Sequence, residues 1–262
     1  MDTYKKPCQN ILQIEHLSVN FEQYKGALSK KNMNTVKDLS LSVNAGELIC
    51  IVGESGSGKS VLAHAVLGIL PYNAKIDGTI KYKGEVLDDK KKERLRGKEI
   101  VLVPQSTTYL DPKMKLGRQI TKGASDKEKN KRLTEIFEHF HLKEEVKNQY
   151  PHQLSGGMTR RILVSTALIE KPSLVIADEP TKGLDMKLSK RVMSHFRELA
   201  DLGAAVLVIT HDLELAVQTS EKIVIFQKGV TVEQIESSNF NDYSKFKSDY
   251  SKELFKAMPV NW

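Results

Sequence analysis

This sequence predicts an α/β protein with a mainly parallel central sheet, helices on both of its faces, an antiparallel β subdomain near the N-terminus and a small helical subdomain. Three observations carry the prediction. A glycine-rich octapeptide, Gly53-Glu54-Ser55-Gly56-Ser57-Gly58-Lys59-Ser60, stands between an apolar run and a helical run. After it, short apolar segments alternate with amphipathic helical ones, the pattern of parallel strands buried on both faces. Before it, residues 11–52 hold strand-like segments joined by polar connections.

Taken in order, residues 11–15, 39–43 and Leu48–Val52 read as strands, and residues 26–34 between them as a polar, exposed loop. Residues 61–70 read as a helix stopped at Pro71, because proline lacks an N–H and clashes with the preceding turn. Residues 78–82 and 85–87 flank Lys83-Gly84 and predict a β-hairpin. Residues 99–103 form another apolar strand. From 105 to about 153 the chain turns helical and polar. There Leu133, Ile136, Phe137 and Phe140 recur at helical spacing as core positions of the helical subdomain, placed near 105–165. A helix over 157–170, a strand over 174–177, a helix with Leu188, Val192, Phe196 and Leu199 on one face, and strands over 205–209 and 223–226 complete one domain, 1–235. The extension 236–262 is rich in Ser, Asp and Lys, with a short helix expected at 251–257 before Pro259. No internal repeat is found.

Composition narrows the function. At 262 residues, with 40% hydrophobic and 28% charged content, the chain is a globular protein of ordinary makeup. No segment approaches the roughly 18–20 apolar residues of a membrane span. Residues 1–10 have no apolar run of signal-peptide length, so the expected location is the cytoplasm. Cys8 and Cys50 cannot build a disulfide framework, and Cys50 is expected as a small buried hydrophobe. No cysteine or histidine spacing suggests a zinc or iron–sulfur site. The formal net charge is +7, but aromatic content is 6% and no basic stretch is interleaved with aromatics, so nucleic acid is not the expected partner. The densest basic run, residues 90–96, reads as a solvated face, with an anionic membrane surface as the second reading.

The octapeptide is a phosphate-binding loop: Gly, four residues, then Gly-Lys-Ser, between a strand and a helix. Its glycines let backbone N–H groups close around phosphate oxygens, and the helix start adds a favourable dipole. Lys59 is expected to reach the β- and γ-phosphates and the Ser60 hydroxyl to ligate Mg²⁺. The fold class is therefore that of a phosphate-loop NTPase. The strand 174–177 runs into Asp178-Glu179. Asp178 is expected in the metal shell through water, and Glu179 to orient or deprotonate the attacking water, an assistance typically worth about 10²- to 10⁴-fold. Ser155 can cap a helix whose Gly156 and Gly157 leave its amides uncovered, a second anion-binding helix end. Gln105 and His211 each follow a predicted sheet strand, on the side where ligands collect.

This ordered set, with Glu179-Pro180 and Gly183-Leu184-Asp185, resembles the nucleotide-binding subunit of ATP-binding-cassette transporters over residues 11–232. The resemblance implies an ATPase in which two such domains bind ATP between them. Each site takes the phosphate loop, through Val61, from one subunit and Ser155 to Gly157 from the other. It implies that Gln105 touches the magnesium or the attacking water and relays to the membrane partner, that Asp185 contacts the dimer mate's site, and that His211 holds the γ-phosphate. Phe21, in Leu17-Ser18-Val19-Asn20-Phe21, sits where the family places an adenine-stacking aromatic. Tyr24 is the alternative, and a plain core role for Phe21 stays open.

A finer resemblance, to the peptide and nickel importer branch, rests on Leu95-Arg96-Gly97-Lys98, Pro104-Gln105-Ser106, Leu110-Asp111-Pro112, the run Tyr150 to Met158 and the run Ile176 to Thr181. It implies two permease partners, an extracellular solute-binding protein, a second and different ATPase subunit, and a place on the cytoplasmic face of the membrane. Thr159-Arg160-Arg161 and Lys182 depart from the branch pattern. The tail lacks the cysteines of some peptide-type members and is similar to nickel-type tails, so nickel or a metal chelate is the first expected cargo and peptide the alternative. A soluble ATPase acting on DNA or ribosomes fits less well: the chain has one cassette, no long coiled coil and no zinc module. A phosphate-loop kinase would not explain Leu154 to Gly157.

Overall fold

A computed structural model of the chain describes residues 9–25, 29–123 and 126–257, with backbone only at 23–25, 29–31 and 107. Cys8, Pro259, the side chain of Tyr24 and part of the polar insert lie outside the described residues.

Two sheets organise it. β1 (Asn10–Lys25) and β2 (Ser29–Asn44) pair antiparallel. β3 (Leu48–Val52) leads into α1 (Lys59–Leu67). β4 (Ala74–Tyr82) joins β1 and, through the expected hairpin, β5 (Glu85–Val86), giving an antiparallel sheet ordered β2-β1-β4-β5. Next come α2 (Asp89–Leu95), β6 (Ile100–Val103), α3 (Leu116–Ile120), α4 (Lys127–His139) and α5 (Gly156–Leu168). They are followed by β7 (Leu174–Asp178), α6 (Met186–Asp201), β8 (Ala205–Thr210), α7 (Leu213–Thr219), β9 (Lys222–Gln227), β10 (Val230–Glu236) and α8 (Asp249–Lys256). The second sheet runs β10-β9-β3-β8-β7-β6, parallel throughout except for β10 against β9.

The central strands are buried along their whole length because both faces are covered. Side chains alternate between faces with a period of two. Leu48, Cys50 and Val52 point into one core with Phe137, Ile162 and Phe196, whereas Ile49 and Ile51 point into another with α1 and the antiparallel sheet. Leu133, Ile136, Phe137 and Phe140 are buried as expected. Burial pushes the Cys50 thiol up to about 12, so it is an inert core group.

Four local expectations are corrected. Residues 29–34 are strand, because β1 and β2 form one long hairpin from Asn10↔Asn44 to Lys25↔Ser29. Asn32, Met33 and Asn34 are exposed, so the ladder is held by backbone bonds and shows no apolar alternation in the sequence. Helix α1 stops at Gly68, three residues short of Pro71, with the Gly68 N–H donated to the Ala65 and His64 carbonyls. Within the basic run, Lys92 is buried, its stem lying against Gly68, while Lys90, Glu93 and Arg94 are exposed. The polar tail buries Phe240 and Phe246 in the main core, their rings edge to face with centroids 4.9 Å apart. Among the described residues no helix is long and apolar enough to cross a membrane.

Candidate active site

The phosphate-binding loop closes where three backbone segments come too near for side chains. A Cβ on Gly53 would lie 1.9 Å from the Phe226 carbonyl oxygen of β9. Gly58 has φ 104° and approaches Thr35 of β2, where a Cβ would stand 2.4 Å from a carbonyl oxygen. Both positions therefore need glycine. Lys59, the first residue of α1, is 5% exposed. Its Nζ donates to the carbonyls of Gly53 at 2.7 Å and Glu54 at 2.8 Å, with the Ser57 hydroxyl at 3.5 Å. Burial lowers its pKa, and the nearby carboxylates of Glu179, Asp178 and Glu54 pull in the opposite direction. A cation whose close hydrogen-bond acceptors are neutral carbonyls gains when charged phosphate oxygens arrive.

Asp178 ends β7. Burial raises its pKa, against the neighbouring Ser60 hydroxyl, and Oδ1 has no hydrogen-bond partner. An orphaned, buried carboxylate oxygen beside a hydroxyl is a hard-oxygen donor set of the kind magnesium takes. Glu179 follows with φ +47°, a left-handed conformation that costs energy for a side chain with a Cβ. Its N–H donates to the Ile209 carbonyl at 2.8 Å, which fixes the turn to β8. Its Oε2 lies 2.6 Å from His211 Nδ1.

Lys59, Ser60, Glu179 and His211 face one cleft of about 400 Å³ at the carboxyl ends of the parallel strands, and Asp178, outside its lining, neighbours Ser60. Ser55, Gly56, Gly58, Lys59, Ser60 and Val61 line one side, and Gln105, Glu179 and His211 the other. Gly53, Glu54 and Ser57 meet Lys59 from within the loop. Thr35 and Lys182 also line the cleft. In the sequence Lys182 stands out only as a departure from the branch pattern, and nothing marks Thr35.

Other expected site residues lie elsewhere. Ser155 caps α5, its Oγ accepting from the Met158 N–H at 3.3 Å, and it is exposed with Gly156. Asp185 caps α6, accepting from the Leu188 N–H at 2.8 Å. Among the described residues lining the cleft, Ser155, Gly156, Gly157, Asp185 and Phe21 are absent. Phe21 lies on β1 opposite Ala74 and packs, partly buried, on the core beneath the antiparallel sheet.

Arg160 was missed. It is 5% exposed, in the second turn of α5. Its Nη1 donates to the carbonyls of Pro104 at 3.1 Å and Gln105 at 2.9 Å, and Nη2 to that of Lys182 at 3.4 Å. One guanidinium thus ties the start of α5 to the Gln105 segment and to the turn after Glu179. Burial lowers its pKa, yet arginine stays charged. The only trace in the sequence is a basic residue on the apolar side of α5, which can be buried only with partners.

The chain is similar to proteins of one family. A family model described as ABC transporter matches residues 36–182. The dipeptide transport ATP-binding protein DppD of Lactococcus lactis subsp. cremoris is 35% identical over 240 residues, covering 86% of this chain and 67% of the relative. The oligopeptide transport ATP-binding protein OppD of Salmonella typhimurium is 34% identical over 241 residues, covering 87% and 70%. Among solved structures, the post-hydrolysis dimer of the ATP-binding cassette MJ0796 with ADP and Pi superposes with a TM-score of 0.75 at 25% identity, covering 87% of this chain and 99% of that one.

Proposed function

This chain belongs to the ABC transporter family of ATPases, and from that premise we propose that it is the ATP-hydrolysing subunit of a peptide importer. The observation that carries the reading is the convergence of buried Lys59 and the Glu179–His211 pair on one cleft, with Asp178, one oxygen of which is orphaned, beside the Ser60 that lines it. Lys59 exchanges the Gly53 and Glu54 carbonyls for phosphate oxygens of ATP. The loop amides from Gly53 to Val61 hold the rest of the polyphosphate. Ser60 and Asp178, with Gln105, would hold Mg²⁺, which supplies neutralisation of charge on the phosphate oxygens when bound. Glu179 accepts the proton of the attacking water. His211 fixes the Glu179 carboxylate in the free protein and turns to the γ-phosphate in the bound one. The Phe21 ring, partly exposed on β1, stacks on adenine.

Ser155, Gly156 and Asp185 are exposed and stand outside the cleft. We assign them to the cleft of a second ATPase subunit, a different chain, so that each ATP lies between two subunits. The 1–235 unit is the ATPase and 236–262 its extension. Two permeases bind the subunit at the cytoplasmic face of the membrane, and an extracellular binding protein delivers cargo to them. For cargo, the relatives' names speak of dipeptides and oligopeptides. Peptide therefore replaces nickel or a metal chelate as the first choice.

The test is recovery of partners with the tagged chain from detergent-solubilised membranes of its host. Two multi-span permeases and a second ATPase are expected, and the companion binding protein then binds peptides in preference to nickel or metal–opine complexes. Recovery of ribosomes or DNA-repair proteins without a permease would overturn the importer reading.

A further inference from the structure

We propose that His139, His195 and Glu198 form a site for one divalent transition-metal ion of the zinc class, joining the end of α4 to α6. The site lies at the amino ends of the parallel strands, away from the ATP cleft: the same cleft wall includes Ser173 and Ala204, which precede β7 and β8. Sequence spacing conceals it, because His195 and Glu198 are one helical turn apart on α6 while His139 comes from 56 residues earlier.

Three observations carry the proposal. The first is distance. His139 Nε2 lies 2.7 Å from Glu198 Oε2 and 3.0 Å from His195 Nδ1, and the last two atoms are 3.7 Å apart. Ligand atoms about 2.0–2.2 Å from one ion, at angles between octahedral and tetrahedral, are separated by about 2.9–3.5 Å. The observed triangle brackets that range.

The second is a shortage of protons. A carboxylate only accepts, and a neutral imidazole nitrogen either donates or accepts. If His139 Nε2 carries a hydrogen, that one hydrogen faces both the Glu198 oxygen and the His195 lone pair. If His195 Nδ1 carries it instead, the lone pair of His139 Nε2 faces the Glu198 carboxylate at 2.7 Å. If each nitrogen carries its own hydrogen, the two hydrogens face one another across 3.0 Å. A cation that accepts all three lone pairs removes the conflict.

The third is support and access. His195 is buried, and the Phe140 ring packs edge-on against it with centroids 4.2 Å apart, and against His139 at 5.3 Å. The imidazoles are thereby oriented before an ion arrives. His139 and Glu198 are half-exposed, and a cleft of about 630 Å³ opens on all three groups. An ion has an entry path, and a fourth position can take water. Imidazole and carboxylate ligands in this number suit zinc-class ions rather than magnesium.

The test is calorimetric titration of the untagged full chain with Zn²⁺ in buffer holding excess Mg²⁺. One saturable Zn²⁺ per chain is expected, with a thermal midpoint that rises as Zn²⁺ is added. Glu198→Gln should weaken binding by more than about tenfold, and His139→Asn by at least as much. Both side chains are half-exposed, so these variants keep the fold, which circular dichroism and retained ATP binding verify. No saturable binding, or unchanged affinity in both variants, overturns the proposal. So does loss of Zn²⁺ binding in His211→Asn with none in His139→Asn, which would move the ion to the ATP cleft.

Discussion

Replacing Arg160 with methionine tests whether the cleft depends on a clamp that touches no nucleotide. The substitution keeps most of the side chain's length and apolar stem. It removes donors to Pro104 and Gln105 at 3.1 and 2.9 Å and a weaker one to Lys182 at 3.4 Å. Hydrogen bonds from a charged donor contribute about 1.5–3 kcal/mol each, so the two short ones amount to about 3–6 kcal/mol gross. Part of that is offset, because burying the guanidinium is itself unfavourable, as its lowered pKa shows. A net loss of about 2–4 kcal/mol follows, shared between global stability and local order of the Gln105 and Lys182 segments. Expressed wholly as disorder of the cleft, it corresponds to a fall of about 30- to 900-fold in turnover. The phosphate loop is untouched, so ATP affinity should change by less than about threefold while kcat falls. Denaturant unfolding, nucleotide titration and steady-state hydrolysis separate these contributions. Wild-type kcat in Arg160→Met, with unchanged stability, would refute the clamp.

Other expectations follow from single contacts. Lys59 has a depressed pKa, mainly from burial, so its charge costs stability below its folded value. That cost fades as pH rises toward the ordinary lysine value. ATP favours the charged form, so its affinity has the opposite slope and falls as pH rises through the depressed value. Calorimetry in buffers of different ionisation enthalpy should show proton uptake on that alkaline side, and Lys59→Met should lose about 10- to 150-fold in affinity together with the uptake. Gly53→Ala places a Cβ 1.9 Å from the Phe226 carbonyl and should destabilise by about 3 kcal/mol, whereas Gly156→Ala meets nothing within 4 Å. The second variant should unfold no more easily than wild type yet lose hydrolysis, if Gly156 faces the partner's nucleotide. Ser155→Arg should cost about 1 kcal/mol through the lost helix cap, retain ATP binding by the isolated chain and abolish hydrolysis. Loss of binding by the isolated chain would argue against a shared site.

Local chemistry was legible and long-range contact was not. The phosphate-binding loop and Asp178-Glu179 could be read because each is a strand, a turn and a helix start in one stretch of chain. The central strands could be read because burial on both faces demands unbroken apolar runs, as in Leu48–Val52 and Ala205–Thr210. The far half of the β1–β2 hairpin could not, since Asn32, Met33 and Asn34 face solvent and only backbone bonds mark the strand. Arg160 reads as one more basic residue until Pro104, Gln105 and Lys182 surround it. The burial of Phe240 and Phe246 was hidden by the polar residues around them in the tail. The pairing of Glu179 with His211 spans 32 residues and two strands, and no spacing rule announces it.

The measurement that reaches the central claim most directly is ATP binding and turnover by Glu179→Gln, reconstituted with the companion ATPase subunit. The amide keeps the side chain's shape and its place beside His211 but cannot take a proton from water. ATP binding should persist, turnover should fall by about 100-fold or more, and light scattering should show an ATP-bound dimer that does not separate. Turnover at the wild-type rate would contradict the account and remove Glu179 as the base.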